Sequence, residues 1–145
     1  MAHHDVMSVV AREIVAIGRL WRRVLSQQLS HLDIPDAQWS VLDNLNRSGD
    51  NISQIALSHR LGLQRSALVR VLKGMEQRGW IERDPGRSRH VTLTEPGRAV
   101  AGEIGRIARA FDEQMLADIS EDELQTIFRQ SGLMRQKLLE ADNDK

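Results

Sequence analysis

Ser53-Gln54-Ile55-Ala56-Leu57-Ser58-His59-Arg60-Leu61-Gly62-Leu63-Gln64-Arg65-Ser66-Ala67-Leu68-Val69-Arg70-Val71-Leu72-Lys73-Gly74 is the stretch whose reading decides the fold. Within it Ser58, Gly62 and Leu68 have the spacing of a helix-turn-helix. A small residue lets two helices approach, a glycine permits the positive backbone dihedral of the tight turn, and an apolar residue locks the second helix onto the first. The spacing predicts helices over about Ser53 to Leu61 and Arg65 to Arg78, separated by Gly62-Leu63-Gln64. The second is sharply two-faced. Leu68, Val71, Leu72 and Met75 form a core stripe, while Arg65, Ser66, Val69, Arg70 and Lys73 lie opposite. An exposed charged face of this kind is either an ordinary solubilising surface or a reader of nucleic acid.

Immediately downstream, Trp80 to Arg83 and His90 to Leu93 read as a strand pair. Asp84-Pro85-Gly86-Arg87-Ser88-Arg89 joins them, with proline and glycine as turn residues. A helix-turn-helix followed by such a hairpin is a winged helix. Arg87 and Arg89 at the tip suit insertion into a narrow, electronegative minor groove. At the front of the second helix, Gln64, Arg65, Ser66 and Arg70 supply the donors that pair with adenine, guanine and phosphate in the major groove. Lys73, one turn on, is placed to meet phosphate.

Outward from this centre the pattern is helical. Val6 to about Leu32 carries Val6, Val10, Ile14, Ile17, Trp21 and Val24 at three- and four-residue steps, and Asp33-Ile34-Pro35 ends it. Asp36 or Pro35 opens a short helix with Trp39, Val41, Leu42 and Leu45, closed by the turn cluster Ser48-Gly49-Asp50-Asn51. Thr94 is a cap for a helix through Val100, Ile104, Ile107, Phe111 and Met115. Ser120 with Glu123 is a capping-box spacing that opens a last helix holding Leu124, Ile127, Phe128, Met134 and Leu138. The fold class is therefore mainly α with a small β element (α+β): a winged helix-turn-helix with long N- and C-terminal dimerisation helices. Residues 1–34 form the N-terminal dimerisation helix, 35–98 the DNA-binding unit and 99–145 the C-terminal dimerisation helices. Terminal helices this apolar offer more surface than a small centre can cover, so a second copy is the expected partner.

Composition removes several function classes. The 145 residues contain no cysteine, which excludes disulfides, thiol chemistry and cysteine-held metals. His3 and His4 lie near the N-terminal end and His31, His59 and His90 on different elements, so no metal site is expected. No run is apolar enough to span a bilayer, and the chain is expected to be cytoplasmic. No phosphate loop, nucleophile elbow or HExxH is present, which argues against an enzyme, and no cofactor is expected. Lys+Arg and Asp+Glu are balanced at 20 each, but unevenly distributed. Between Arg47 and Arg98 ten bases face five acids, a surplus of +5 that the flanks cancel. That is the division expected of a cationic reader on a non-binding scaffold.

These segments resemble the MarR family of transcriptional regulators. The resemblance rests on Asp36-Ala37-Gln38-Trp39-Ser40-Val41-Leu42, Ser53-Gln54-Ile55 through Leu61-Gly62, Ser66-Ala67-Leu68-Val69-Arg70-Val71-Leu72, Met75 through Arg83, and Leu93-Thr94-Glu95-Pro96-Gly97-Arg98. Leu68-Val69-Arg70 and Ser120-Glu121-Asp122-Glu123-Leu124 are most similar to the SlyA-like branch. The resemblance implies a homodimer that reads a pseudo-palindromic double-stranded DNA operator, as a repressor, with Gln64, Arg65, Ser66 and Arg70 in the major groove. Either Arg87 or Arg89 would enter the minor groove. The wing is shorter than in many members, and Asp84 stands where the family's wing acid is expected. The resemblance also implies a small aromatic carboxylate or phenolic effector, for which Trp21, Arg22, His31 and Trp39 are the candidate lining. The competing reading is a winged helix used for protein–protein interaction without DNA; it requires Arg65→Ala and Arg70→Ala to leave activity unchanged.

Overall fold

The computed structural model describes residues 2–86 and 89–143. Helix α1 spans His3–Leu29 and tightens into a 3-10 turn over Ser30–Leu32. The sequence pattern carries one continuous helix to Leu32; the tightening comes where Asp33 adopts a left-handed conformation (φ 51°) ahead of Ile34-Pro35. Helix α2, Asp36–Ser48, begins directly after Pro35, whose carbonyl accepts from the backbone N–H groups of Gln38 and Trp39. Gly49 ends it at φ 89°.

Helix α3, Gln54–Leu61, is capped by Ser53, whose hydroxyl accepts from Ala56 N at 3.2 Å. Helix α4 covers Arg65–Gln77. The wing strands are β1, Ile81–Arg83, and β2, Val91–Leu93, paired antiparallel with Ile81 opposite Leu93 and Arg83 opposite Val91. Each is one residue shorter than the sequence reading. Trp80 instead packs under the Arg78 guanidinium, 3.9 Å from the ring centre, and His90 lies just outside the ladder. Ile52 adds an isolated bridge to Val91, a pairing the sequence reading missed.

Helix α5, Glu95–Leu116, opens as expected on Thr94, whose hydroxyl accepts from Gly97 N at 3.1 Å. Its first turn lies so close to β1 that a Cβ at Gly97 would sit 1.9 Å from the Trp80 carbonyl oxygen; only glycine fits. Helix α6, Glu121–Asn143, begins with the reciprocal Ser120–Glu123 capping box. The Ser120 backbone and hydroxyl donors hold the Glu123 carboxyl below its ordinary range.

One core joins these elements. It is built from Val41, Leu42 and Leu45 of α2, Leu57 of α3, Leu68, Leu72 and Met75 of α4, the wing residues Ile81, Val91 and Leu93, and the Ala101–Ile104–Ala108–Phe111 stripe of α5. Only the C-terminal part of α1 joins it, through buried Leu25 and Leu29 with Trp21 and Val24 packed against it. The remainder of the α1 stripe, Val6 through Ile17, stays exposed, and α6 buries no residue among those described. Phe128 and Leu138 are 79% and 71% exposed. No described helix is long and apolar enough to cross a membrane.

Candidate nucleic-acid interface

Helix α4 is aimed by the turn before it. Gly62 takes φ 64°, and Leu63 N donates back to Ser58 O at 3.0 Å. Ser58 is buried at the helix junction and satisfies its hydroxyl on Ile55 O at 2.7 Å, so a small polar residue fills the crossing without an orphaned donor. Leu68, Leu72 and Met75 then fix the rotation of α4 about its axis by occupying the core. The opposite face is left outward with Arg65, Ser66, Arg70 and Lys73 exposed. Gln64 occupies the N-cap position but its side chain makes no capping bond, so the amide is available to a ligand. No acid stands in the first turn, and the positive end of the helix adds to the field of Arg65.

The +5 surplus resolves into two populations. Many of the basic residues are committed inside the fold. Arg47 bridges Asp43 at 3.0 Å and Asp112 at 2.7 Å. Arg83 pairs with Glu76 at 3.0 Å, and Arg98 with Asp50 at 2.8 Å. Arg60 donates to Gly49 O, and Arg78 lies over Trp80. Burial raises the Asp43 carboxyl against the opposing pull of Arg47. The Arg83 hydrogen bonds hold Glu76 below its ordinary value, with the nearby Arg89 adding to the effect. In contrast, Arg65, Arg70 and Lys73 have no partner among the described residues. The uncommitted cations on α4 therefore concentrate on its outward face.

In the wing, Asp84 accepts from Gly86 N at 2.9 Å and so shapes the turn. Arg89 is exposed, with φ 42° and its N–H on Gly86 O. Arg87 lies outside the described residues.

The four residues expected around an effector are only partly brought together. Arg22 stands over the Trp39 ring at 5.9 Å, and the Trp39 indole N–H donates to Asp36 at 3.2 Å. Trp21 turns instead to Phe111 of α5, edge to face at 5.4 Å. His31, in the 3-10 turn, is exposed and within electrostatic reach of Glu103. Beside the Arg22–Trp39 pair runs a groove of about 430 Å³ lined by Arg19, Arg22, Arg23, Ser26, Gln27, Ser30 and Asp36. The Ser26 hydroxyl is buried there without a partner. Sequence reasoning missed Arg19, Arg23 and Ser26; their spacing with Arg22, a polar stripe at three- and four-residue steps, was the available signal. No group of three or more metal-ligating side chains occurs among the described residues.

The sequence profile of the MarR family matches residues 32–90. A solved transcriptional regulator, PA3341, is 30% identical, with 91% of this chain and 98% of that chain covered at a TM-score of 0.77. The oxidized form of MarR from E. coli is 28% identical over 86% of this chain and 92% of that one, with a TM-score of 0.67. The transcriptional regulator SlyA, 23% identical over 91% and 95%, shares the fold at a TM-score of 0.77.

Proposed function

The chain belongs to the MarR family of DNA-binding transcriptional regulators, which are not enzymes, and from that premise we propose that it is a homodimeric repressor of a pseudo-palindromic operator. In this reading residues 35–98 form the reader, and residues 1–34 and 99–145 join two copies. Gln64, Arg65, Ser66 and Arg70 take the major groove, Lys73 a phosphate, and Arg87 or Arg89 the minor groove. The two-fold axis sets the recognition helices about 34 Å apart, one turn of DNA. Such a protein works in the cytoplasm.

The single observation that carries this reading is the outward face of α4, where Arg65, Arg70 and Lys73 stand unpaired among the described residues while Arg47, Arg83 and Arg98 pair with acids of the same chain. A merely solubilising surface has no reason to separate its cations in this way. The apolar faces of α1 and α6 support the dimer. The groove beside Arg22 and Trp39 supports a small aromatic carboxylate or phenolic effector, which would act by differing in affinity for two arrangements of the readers.

Selection of binding sites from a random duplex pool tests the proposal. The expected product is a two-fold-symmetric sequence bound by two chains, and salicylate weakens the complex. Failure to enrich any sequence at low salt would sink the reading.

A further inference from the structure

Helix α4 presents one large apolar side chain to solvent. Val69 is 39% exposed, whereas Leu68, Leu72 and Met75 on the same helix are at 1% or less. Isolated apolar residues on a surface are ordinary. Val69, however, lies inside the proposed reading face, one turn after Arg65 and one turn before Lys73. At 3.6 residues per turn these three, with Ser66 and Arg70, share an arc of about 140°. Valine is also a poor choice for a solvated helix position. Its branched side chain lowers helix propensity relative to alanine, lysine or glutamine, and no described residue buries it.

On the floor of the major groove only thymine offers an apolar group, its C5-methyl. The polar members of the face, Arg65, Ser66, Arg70 and Gln64, can address hydrogen-bonding edges and phosphates but have no complement for that methyl. We propose that Val69 reads a thymine by packing its γ-methyls on the C5-methyl, adding an apolar specificity contact to the hydrogen-bonding readout. The inference rests on the DNA-reading function proposed above. The branched side chain suits the task, because a single preferred χ1 in a helix leaves little rotamer freedom to lose on contact.

The test uses the full-length protein and an operator it has itself selected from a random duplex pool. Each thymine is replaced singly by deoxyuracil, which removes the methyl and leaves every hydrogen-bonding group in place. Wild-type protein is expected to lose about fourfold in affinity at one thymine of each half-site, the value of one buried methyl. Val69→Ala, a better helix former, is expected to fold normally and to bind the thymine and uracil duplexes equally. A wild-type protein indifferent to every replacement overturns the inference. So does a Val69→Ala protein that keeps the discrimination, since another group then reads the methyl. Both results leave operator binding intact; failure to select any operator overturns the DNA-reading function itself, and this inference with it.

Discussion

Helices α4 and α6 both turn a broad face to solvent, and the two faces are opposite in kind. The α4 face is cationic, with Arg65, Arg70 and Lys73 outward, while its other side is locked into the core by Leu68, Leu72 and Met75. The α6 face is apolar, with Ile127, Phe128, Met134 and Leu138 outward and no described residue buried. Arg135 ties it to the end of α3, its guanidinium donating to His59 O and Arg60 O at 2.9 and 2.8 Å. The difference teaches what each surface needs. A helix already held by its own chain can bind and release a polyanion without unfolding, so its contacts can be tuned by salt. A helix that buries nothing gains little from its own chain, and in the proposed dimer its apolar face is covered by the second copy.

The comparison breaks first at α6. Phe128→Glu with Leu138→Glu places charges in the apolar face and is expected to yield monomers in sedimentation, with operator affinity falling more than about 100-fold as avidity is lost. A persistent dimer would mean that α6 is not the contact. The joint between the wing and α5 comes next. Gly97→Ala forces a methyl into the Trp80 carbonyl and should lower stability by about 2 kcal/mol in urea unfolding, with the α6 face untouched and the folded fraction still dimeric. On α4 itself, Arg70→Ala should weaken operator binding about tenfold through lost base or phosphate contact, with the melting temperature unchanged. A matching drop in melting temperature would assign Arg70 to the fold and blur the contrast.

The smallest effect belongs to the α6 cap. The folded Glu123 pKa lies below the ordinary 4.5, so its ionised carboxylate contributes stability above that value and loses it as pH falls through the lowered one. Glu123→Gln should therefore unfold at lower urea than wild type at pH 7, and the gap should close toward pH 3. A gap that persists at pH 3 would attribute the loss to something other than the charge.

Much of the fold was legible because its signals are local. Thr94 and the Ser120–Glu123 pair each cap a helix through atoms within four residues, and Gly62 marks its turn by a positive dihedral that glycine adopts without steric cost. The outward residues of α4 followed from a 3.6-residue period. What escaped is non-local. The Ile52–Val91 bridge, the Arg83–Glu76 anchor and the turn of Trp21 toward Phe111 depend on how elements pack, and no spacing in the chain announces them. The +5 count was likewise blind to pairing: it weighted Arg47 and Arg98 equally with Arg65, although acids on neighbouring elements neutralise the first two.

The cations of α4, unpaired among the described residues, are the proposed DNA-contact surface. Its most direct test is the salt dependence of affinity for a selected operator, measured for wild type and Lys73→Ala. The account predicts a steep linear fall of log affinity with log salt for wild type, and a slope shallower by about two in the variant, one phosphate contact for each of two subunits. Affinity that ignores salt, or two coincident lines, would contradict it.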